Sequence, residues 1–218
     1  MQDSFQGSAR PRTAPSTSDV LQLILREKAG GRITLRDLVD AMGERAYGAL
    51  LLLFAIPNVI PVAIPGWSTV FGLPMILFAG QLATGLHRPW LPRWLADRSI
   101  SHKDFEKVAL KVLPSLIRAE RLLKPRLLPL TEWSGERAIG IVCLVLAVVI
   151  TLPIPLGNML PGLAVTILAL GLIERDGVAV LLGHALSLVS LAIVAAVVAA
   201  IALAILKAIL FFLSGIFG

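Results

Sequence analysis

Residues 43–85 read GERAYGALLLLFAIPNVIPVAIPGWSTVFGLPMILFAGQLATG, and how this stretch crosses or enters a bilayer decides the fold. It is strongly apolar, yet Pro57, Pro61, Pro65 and Pro74 interrupt it, and Gly66 and Gly72 loosen it further. A proline has no N–H to bond back one turn, and its ring clashes with the carbonyl four residues earlier. These breaks are expected to leave no continuous helix of the ~20 residues that a ~30 Å hydrocarbon core requires. A helix over 46–56 alone would rise about 16 Å, close to the midplane. The backbone around Asn58 is expected to be non-helical, shielded by protein or water because lipid offers it no hydrogen bonds.

The same element occurs a second time. GERAYG at 43–48 returns as GERAIG at 135–140, 92 residues later. The second copy continues IVCLVLAVVITLPIPLGNMLPGLAVTILALGLIERDG, with Pro153, Pro155 and Pro161 gathered around Asn158. Each copy runs on into a small apolar segment ending in glycine, at 76–85 and 166–177. Interrupted hydrophobic segments at corresponding places in two halves point to a binding site at the repeat interface.

Composition sets the class. Of 218 residues 56% are hydrophobic and only 16% charged, with mean hydropathy +0.84. Soluble domains carry about 25% charged residues, so the chain reads as an integral membrane protein. The excess of Lys and Arg (20 against 14 acidic residues, net +6) flanks the apolar stretches. That placement fits anionic lipid headgroups as partners and argues against nucleic acid. The single Cys143 lies in an apolar run and reads as a small hydrophobe. The N-terminus lacks an apolar signal core, and residues 1–17, rich in Ser, Thr, Pro and Arg, read as a disordered tail.

Residues 18–42 read as two short amphipathic helices, the second opened by Thr34 and Asp37 in a capping-box variant. Residues 43–100 form a first membrane repeat, whose exit HRPWLPRWLADR alternates Trp90 and Trp94 with Arg88 and Arg93, the chemistry of a membrane interface. Residues 101–177 hold a basic amphipathic helix followed by the second membrane repeat. Ser101 and Asp104 repeat the earlier cap, Lys103, Lys107, Lys111, Arg118, Arg121, Lys124 and Arg126 supply positive charge, and Pro114 is expected to bend or break the helix. Residues 178–218 supply a C-terminal transmembrane helix, with 186–206 alone long enough to span; whether 178–185 extend it stays open. The expected fold is all-α: a multi-pass helical membrane protein with two proline-broken repeats, re-entrant or hairpin, plus amphipathic interfacial helices. Seven Lys/Arg precede Ala46, where the first membrane unit begins, and eleven lie between Leu86 and Ala138, so both regions are expected in the cytoplasm and each repeat enters and returns on one side. An inverted repeat would need an odd number of crossings between the copies.

The motifs PNVIPVAIPG at 57–66, FGLPMILFAGQL at 71–82, RPWLPRWL at 88–95, PIPLGNMLP at 153–161 and ALGLIERDG at 169–177 resemble those of the ExoD family. That resemblance runs over about 20–210. It implies a multi-pass protein of the bacterial inner membrane and an association with exopolysaccharide production, with its synthesis proteins as possible partners. It brings no established reaction and no agreed binding residues.

Polar side chains inside apolar stretches are costly unless paired, which makes them candidates for function. Asn58 and Asn158 stand beside the two proline breaks, where an amide either coordinates an ion or substrate hydroxyl or caps the freed carbonyls of the bend. Gln81, Ser68 and Thr69 are weaker substrate-binding candidates. Glu44–Arg45 and Glu136–Arg137 stand at the mouths of the two repeats, where cross-repeat pairing would lock the halves. Glu174, Arg175 and Asp176 form a gate, bind headgroups or make a solvated turn. His184 reads as structural. No HExxH, nucleophile elbow, phosphate loop, Cys/His cluster or paired intramembrane carboxylates occur, so no catalytic residue, metal or cofactor is expected. Two functions follow: a small transporter or flippase-like protein with its site between the repeats, or a non-catalytic scaffold of an exopolysaccharide synthesis complex. A homo-oligomer is compatible with either.

Overall fold

The computed structural model describes residues 17–27, 31–59, 66–97, 99–152 and 157–217. The expected tail falls outside them, save Thr17, which opens the first helix. The described chain forms two compact units, each drawn from two separate segments.

The first unit joins α1 (Thr17–Glu27), α2 (Leu35–Met42), the short α5 (Arg93–Ala96) and α6 (His102–Leu122). It also holds a two-stranded ribbon that the hydropathy pattern did not announce: β1 (Arg32–Thr34) runs antiparallel to β2 (Ser99–Ser101), with Ile33 opposite Ile100. Each strand leads directly into a capped helix. The Thr34 hydroxyl accepts from the Asp37 N–H at 3.1 Å, while the Asp37 carboxylate accepts from the Thr34 N–H at 2.9 Å, closing the predicted box. Ser101 accepts from the Asp104 N–H at 3.2 Å and donates to its carboxylate at 2.7 Å. That bond, chiefly, and then Lys107 hold the Asp104 carboxyl below its ordinary range. A ring nitrogen of His102 lies 2.8 Å from the Leu25 carbonyl, tying α6 to α1. Pro114 does not break α6. The helix continues through it as one 21-residue element, because losing a single ladder bond leaves the turns on either side intact.

The second unit holds the apolar helices α3 (Ala46–Val59), α4 (Trp67–Thr84), α7 (Trp133–Thr151), α8 (Met159–Ile173) and α9 (Gly177–Phe217). Helix α3 packs on α4 and α7 on α8, giving two hairpins. Their tightest packing runs between hairpins, α4 with α7 and α3 with α8. Glycines let these backbones close up. A Cβ at Gly140 would strike the Ala83 backbone, and one at Gly48 would meet the Ala169 carbonyl at 3.0 Å. Both inter-hairpin pairs are antiparallel: Gly48 lies by Ile173 while Asn58 lies by Gly162, and Gly140 lies by Ala83 while Gly72 lies by Thr151. Leu50, Leu51, Met75, Phe78, Ile139, Leu146, Ile150 and Leu168 fill the core between them. Helix α9 packs on α8, with Gly171 against Val180 and Gly183 against Leu168.

Three expectations about the prolines change. Pro74 sits inside α4, which runs unbroken for 18 residues and is long and apolar enough to cross a membrane, as are α7 and α9. Pro57 lies within the last turn of α3, so Asn58 is helical and not in an unwound stretch. Pro161 is the third residue of α8, where its missing N–H would have had no partner in any case. Pro61, Pro65, Pro153 and Pro155 fall outside the described residues. The helices nevertheless stop at Val59 and Thr151 and resume at Trp67 and Met159, on either side of the two proline clusters. Residues 178–185 belong to α9, a single 41-residue helix about 60 Å long.

Candidate functional site

The polar groups at the two breaks are arranged alike. Asn58, 5% exposed, donates its Nδ2 to the Phe54 carbonyl of its own helix at 2.9 Å. Asn158, the residue preceding α8, donates its Nδ2 to the Leu152 carbonyl at 3.4 Å. Each amide thus directs its nitrogen to a backbone carbonyl near a helix end, and each leaves a buried Oδ1 without a hydrogen-bond partner. In each asparagine the nitrogen bonds a backbone carbonyl and the oxygen has no partner.

Packing brings the breaks together. Asn58 lies against Gly162, and the Gly162 N–H donates to the Asn158 carbonyl at 2.9 Å, so one turn of α8 separates the two asparagines along that helix. On the other flank, Thr69 donates to the Thr151 carbonyl at 3.2 Å and Gly72 abuts Thr151. The Trp67 indole N–H donates to the Pro57 carbonyl at 3.3 Å, next to Asn58. Four helix ends therefore converge, two with their carbonyl ends and two with their amide ends. Ser68 sits in the same first turn of α4 as Thr69. Ser190 of α9 is fully buried with an unpartnered hydroxyl, two turns beyond the Gly183–Leu168 contact and so alongside the start of α8.

The remaining candidates lie elsewhere. Gln81 is near the opposite end of α4, where its side chain clamps the loop after the helix: Nε2 donates to the Trp90 carbonyl at 3.0 Å and Oε1 accepts from the Trp90 N–H at 2.6 Å. Arg137 joins the two hairpins at that end. Its Nη2 donates to the Thr84 carbonyl at 2.9 Å, at the negative end of α4, and its guanidinium stacks 4.1 Å from the Trp133 ring. Gly85 follows with φ of 80°, and a side chain there would displace Arg137. Arg45 belongs to the 3₁₀ turn that leads into α3, and Glu136 to the first turn of α7. The Glu44 side chain falls outside the description. Tyr47 is buried at the start of α3 with an unpartnered hydroxyl. The ring of His184 bonds the Val180 carbonyl of its own helix.

Among the three charges after α8, Glu174 ends the helix, Arg175 takes a left-handed φ of 52° and Asp176 is fully buried. The Asp176 carboxylate accepts from Arg126 Nε at 3.0 and 3.2 Å and from the N–H groups of Lys124, Val178 and Ala179. Burial alone would push its pKa up; Arg126 and the three backbone donors outweigh it and hold it at about 2. The same bond raises the Arg126 guanidinium. Asp176 is thus the capping residue of α9 and an anchor for the segment before α7. Among the described residues, no group of His, Cys, Asp and Glu gathers as a metal centre.

Sequence reasoning found both asparagines and missed Ser190, Trp67 and Thr151. The serine lies deep in a uniformly apolar run, and the other two matter only through contacts across hairpins. Residues 17–208 match the sequence family described as "Exopolysaccharide synthesis, ExoD". The chain is 39% identical to protein ExoD of Rhizobium meliloti over 174 residues, 78% of this chain and 72% of that one. It is 30% identical to an uncharacterized protein of Synechocystis over 163 residues, covering 74% of this chain and 76% of the relative. No solved structure matches it.

Proposed function

The chain belongs to the ExoD family of exopolysaccharide-synthesis proteins, and from that premise we propose that it is a small membrane transporter or flippase-like protein whose site lies between its two broken-helix repeats. One observation carries this reading: the two asparagines next to the proline clusters each keep a buried amide oxygen without a partner, and Asn58 packs on Gly162, one turn of α8 from Asn158. An unsatisfied buried acceptor costs about 1–3 kcal/mol, a cost that folding alone gives no reason to keep twice. Broken helices that meet at a repeat interface are where transporters place their substrates. The protein acts in the bacterial inner membrane, with its basic segments on the cytoplasmic side and both hairpins opening toward them. In this reading each hairpin is re-entrant or makes a pair of crossings, and the two are copies of one ancestral element.

The test uses proteoliposomes carrying a fluorescent lipid-linked saccharide, with dithionite to bleach outward-facing label. Wild type should bleach well beyond the half that a sealed bilayer exposes, and Asn58→Ala or Asn158→Ala should slow the excess at least tenfold. Bleaching that stops at half in wild type overturns the reading for this substrate class.

The alternative, a scaffold for an exopolysaccharide synthesis complex, draws on α6, whose Lys103, Lys107, Arg118 and Arg121 all face solvent. Such a row would equally hold anionic headgroups. Synthesis proteins that co-purify with wild type but not with a Lys107, Arg118 and Arg121 charge-reversal variant, in the absence of flux, would favour it.

A further inference from the structure

We infer that the meeting point of the two breaks is a binding site for a desolvated monovalent metal cation of the sodium class, held by Asn58 Oδ1 and Asn158 Oδ1 with Ser190 Oγ beside them. The inference rests on the transporter reading above and names the ion that its site takes. Three observations carry it. Among the described residues, the unpartnered buried side-chain atoms at this end of the helices are oxygens, two amide carbonyls and one hydroxyl, while an unpartnered nitrogen, Arg137 Nε, lies at the far end. Both amides are oriented by a bond from the nitrogen to a backbone carbonyl, Phe54 for Asn58 and Leu152 for Asn158, which leaves the oxygen of each as the group without a partner. Three oxygens with lone pairs and no partner of their own are ligands that a cation would satisfy together.

The charge of the site selects among cations. Residues 46–86 and 138–173 contain no Asp, Glu, Lys, Arg or His. A divalent ion taken from water into a cavity of neutral ligands would keep its full desolvation cost, since carboxylates normally offset it. A proton would need a titratable group at the breaks; Tyr47 and Cys143 sit away from them, and His184 of α9, nearly two turns before Ser190, is bonded to the Val180 carbonyl. A monovalent ion with neutral oxygen ligands is what remains. The helix ends do not oppose it, because the carbonyl ends of α3 and α7 meet the amide ends of α4 and α8 and their dipoles largely cancel. Oxygens near unwound helix ends are the usual seats of coupling sodium ions in transporters built from broken helices.

The test is equilibrium binding of radioactive sodium to the purified full-length protein in nanodiscs, with choline chloride holding ionic strength. Wild type should bind saturably, one ion per chain, displaced by unlabelled sodium. Asn158→Leu should weaken binding at least tenfold. Asn58→Asp, close in shape and negatively charged, should tighten it about tenfold, which guards against Asn158→Leu simply failing to fold. No saturable binding by folded wild type, or binding unchanged in Asn58→Asp and Asn158→Leu alike, would overturn the inference. Sodium binding without saccharide movement in the liposome assay would leave this site standing and remove the transport reading; saccharide movement without sodium binding would do the reverse.

Discussion

At the scale of single residues, the chemistry separates side chains that hold the fold from those that are left free. Asp176 has every strong partner within reach, and its depressed pKa measures their worth. A shift from 3.8 to about 2 corresponds to about 2 kcal/mol of stability. Because the folded value lies below the unfolded one, this contribution is complete above about pH 5 and disappears as pH falls toward 2. Asp176→Asn should therefore lower stability by about 2 kcal/mol at pH 7 in thermal unfolding of the detergent-solubilised protein, with the difference from wild type shrinking below pH 4. Equal losses at pH 7 and pH 3 would contradict this. Gln81 is the second case. A weaker substrate-binding candidate in the sequence, it bonds the Trp90 backbone through both its nitrogen and its oxygen. Gln81→Leu should cost about 1–2 kcal/mol in the same unfolding measurement and leave transport within twofold of wild type. The asparagines, by contrast, were legible as candidates because polar groups stand out against uniform hydrocarbon. Which of their atoms is free was not legible, since it depends on carbonyls four and six residues away.

At the scale of elements, the sequence announced two interrupted helices and overcounted the interruptions. A proline removes one bond and adds one clash, and the turns around it decide whether the helix survives. Pro74 and Pro114 are embedded in long helices that pack or cap well on both sides; the helices stop only near the clustered prolines. The short ribbon went unseen because three residues give no period to count. A signal was present nevertheless: Ile33-Thr34-Leu35-Arg36-Asp37 and Ile100-Ser101-His102-Lys103-Asp104 follow one pattern, and Ile33 faces Ile100 across the ribbon. Helix pairing is set by glycines with unequal tolerance. At Gly140 an added methyl would meet the backbone of Ala83 and Leu82, whereas at Gly80 its nearest neighbour is a Leu144 methyl at 4.0 Å. Gly140→Ala should therefore separate α4 from α7 and cost about 1–3 kcal/mol, while Gly80→Ala should be neutral or slightly stabilising. Similar melting temperatures for the two variants would count against the described packing.

At the scale of the molecule, composition and hydropathy led to the expectation of a membrane protein, three helices are long and apolar enough to cross a membrane, and family membership agrees with the motifs that suggested it. How the halves engage could not be read from either, because antiparallel pairing of α3 with α8 and α4 with α7 is a choice among several that bury the same apolar area. That pairing is what brings Asn58 against Gly162, one turn of α8 from Asn158. Its most direct test is a cysteine pair at Gly72 and Thr151 in a Cys143→Ala background, oxidised in native membranes, with a protease site placed in the α6–α7 segment. Cleaved protein should stay joined until reductant is added, while a Thr84–Thr151 pair, from opposite ends of α4 and α7, should fall into two fragments. Joining of the second pair and not the first would contradict the meeting of the breaks, and with it the site.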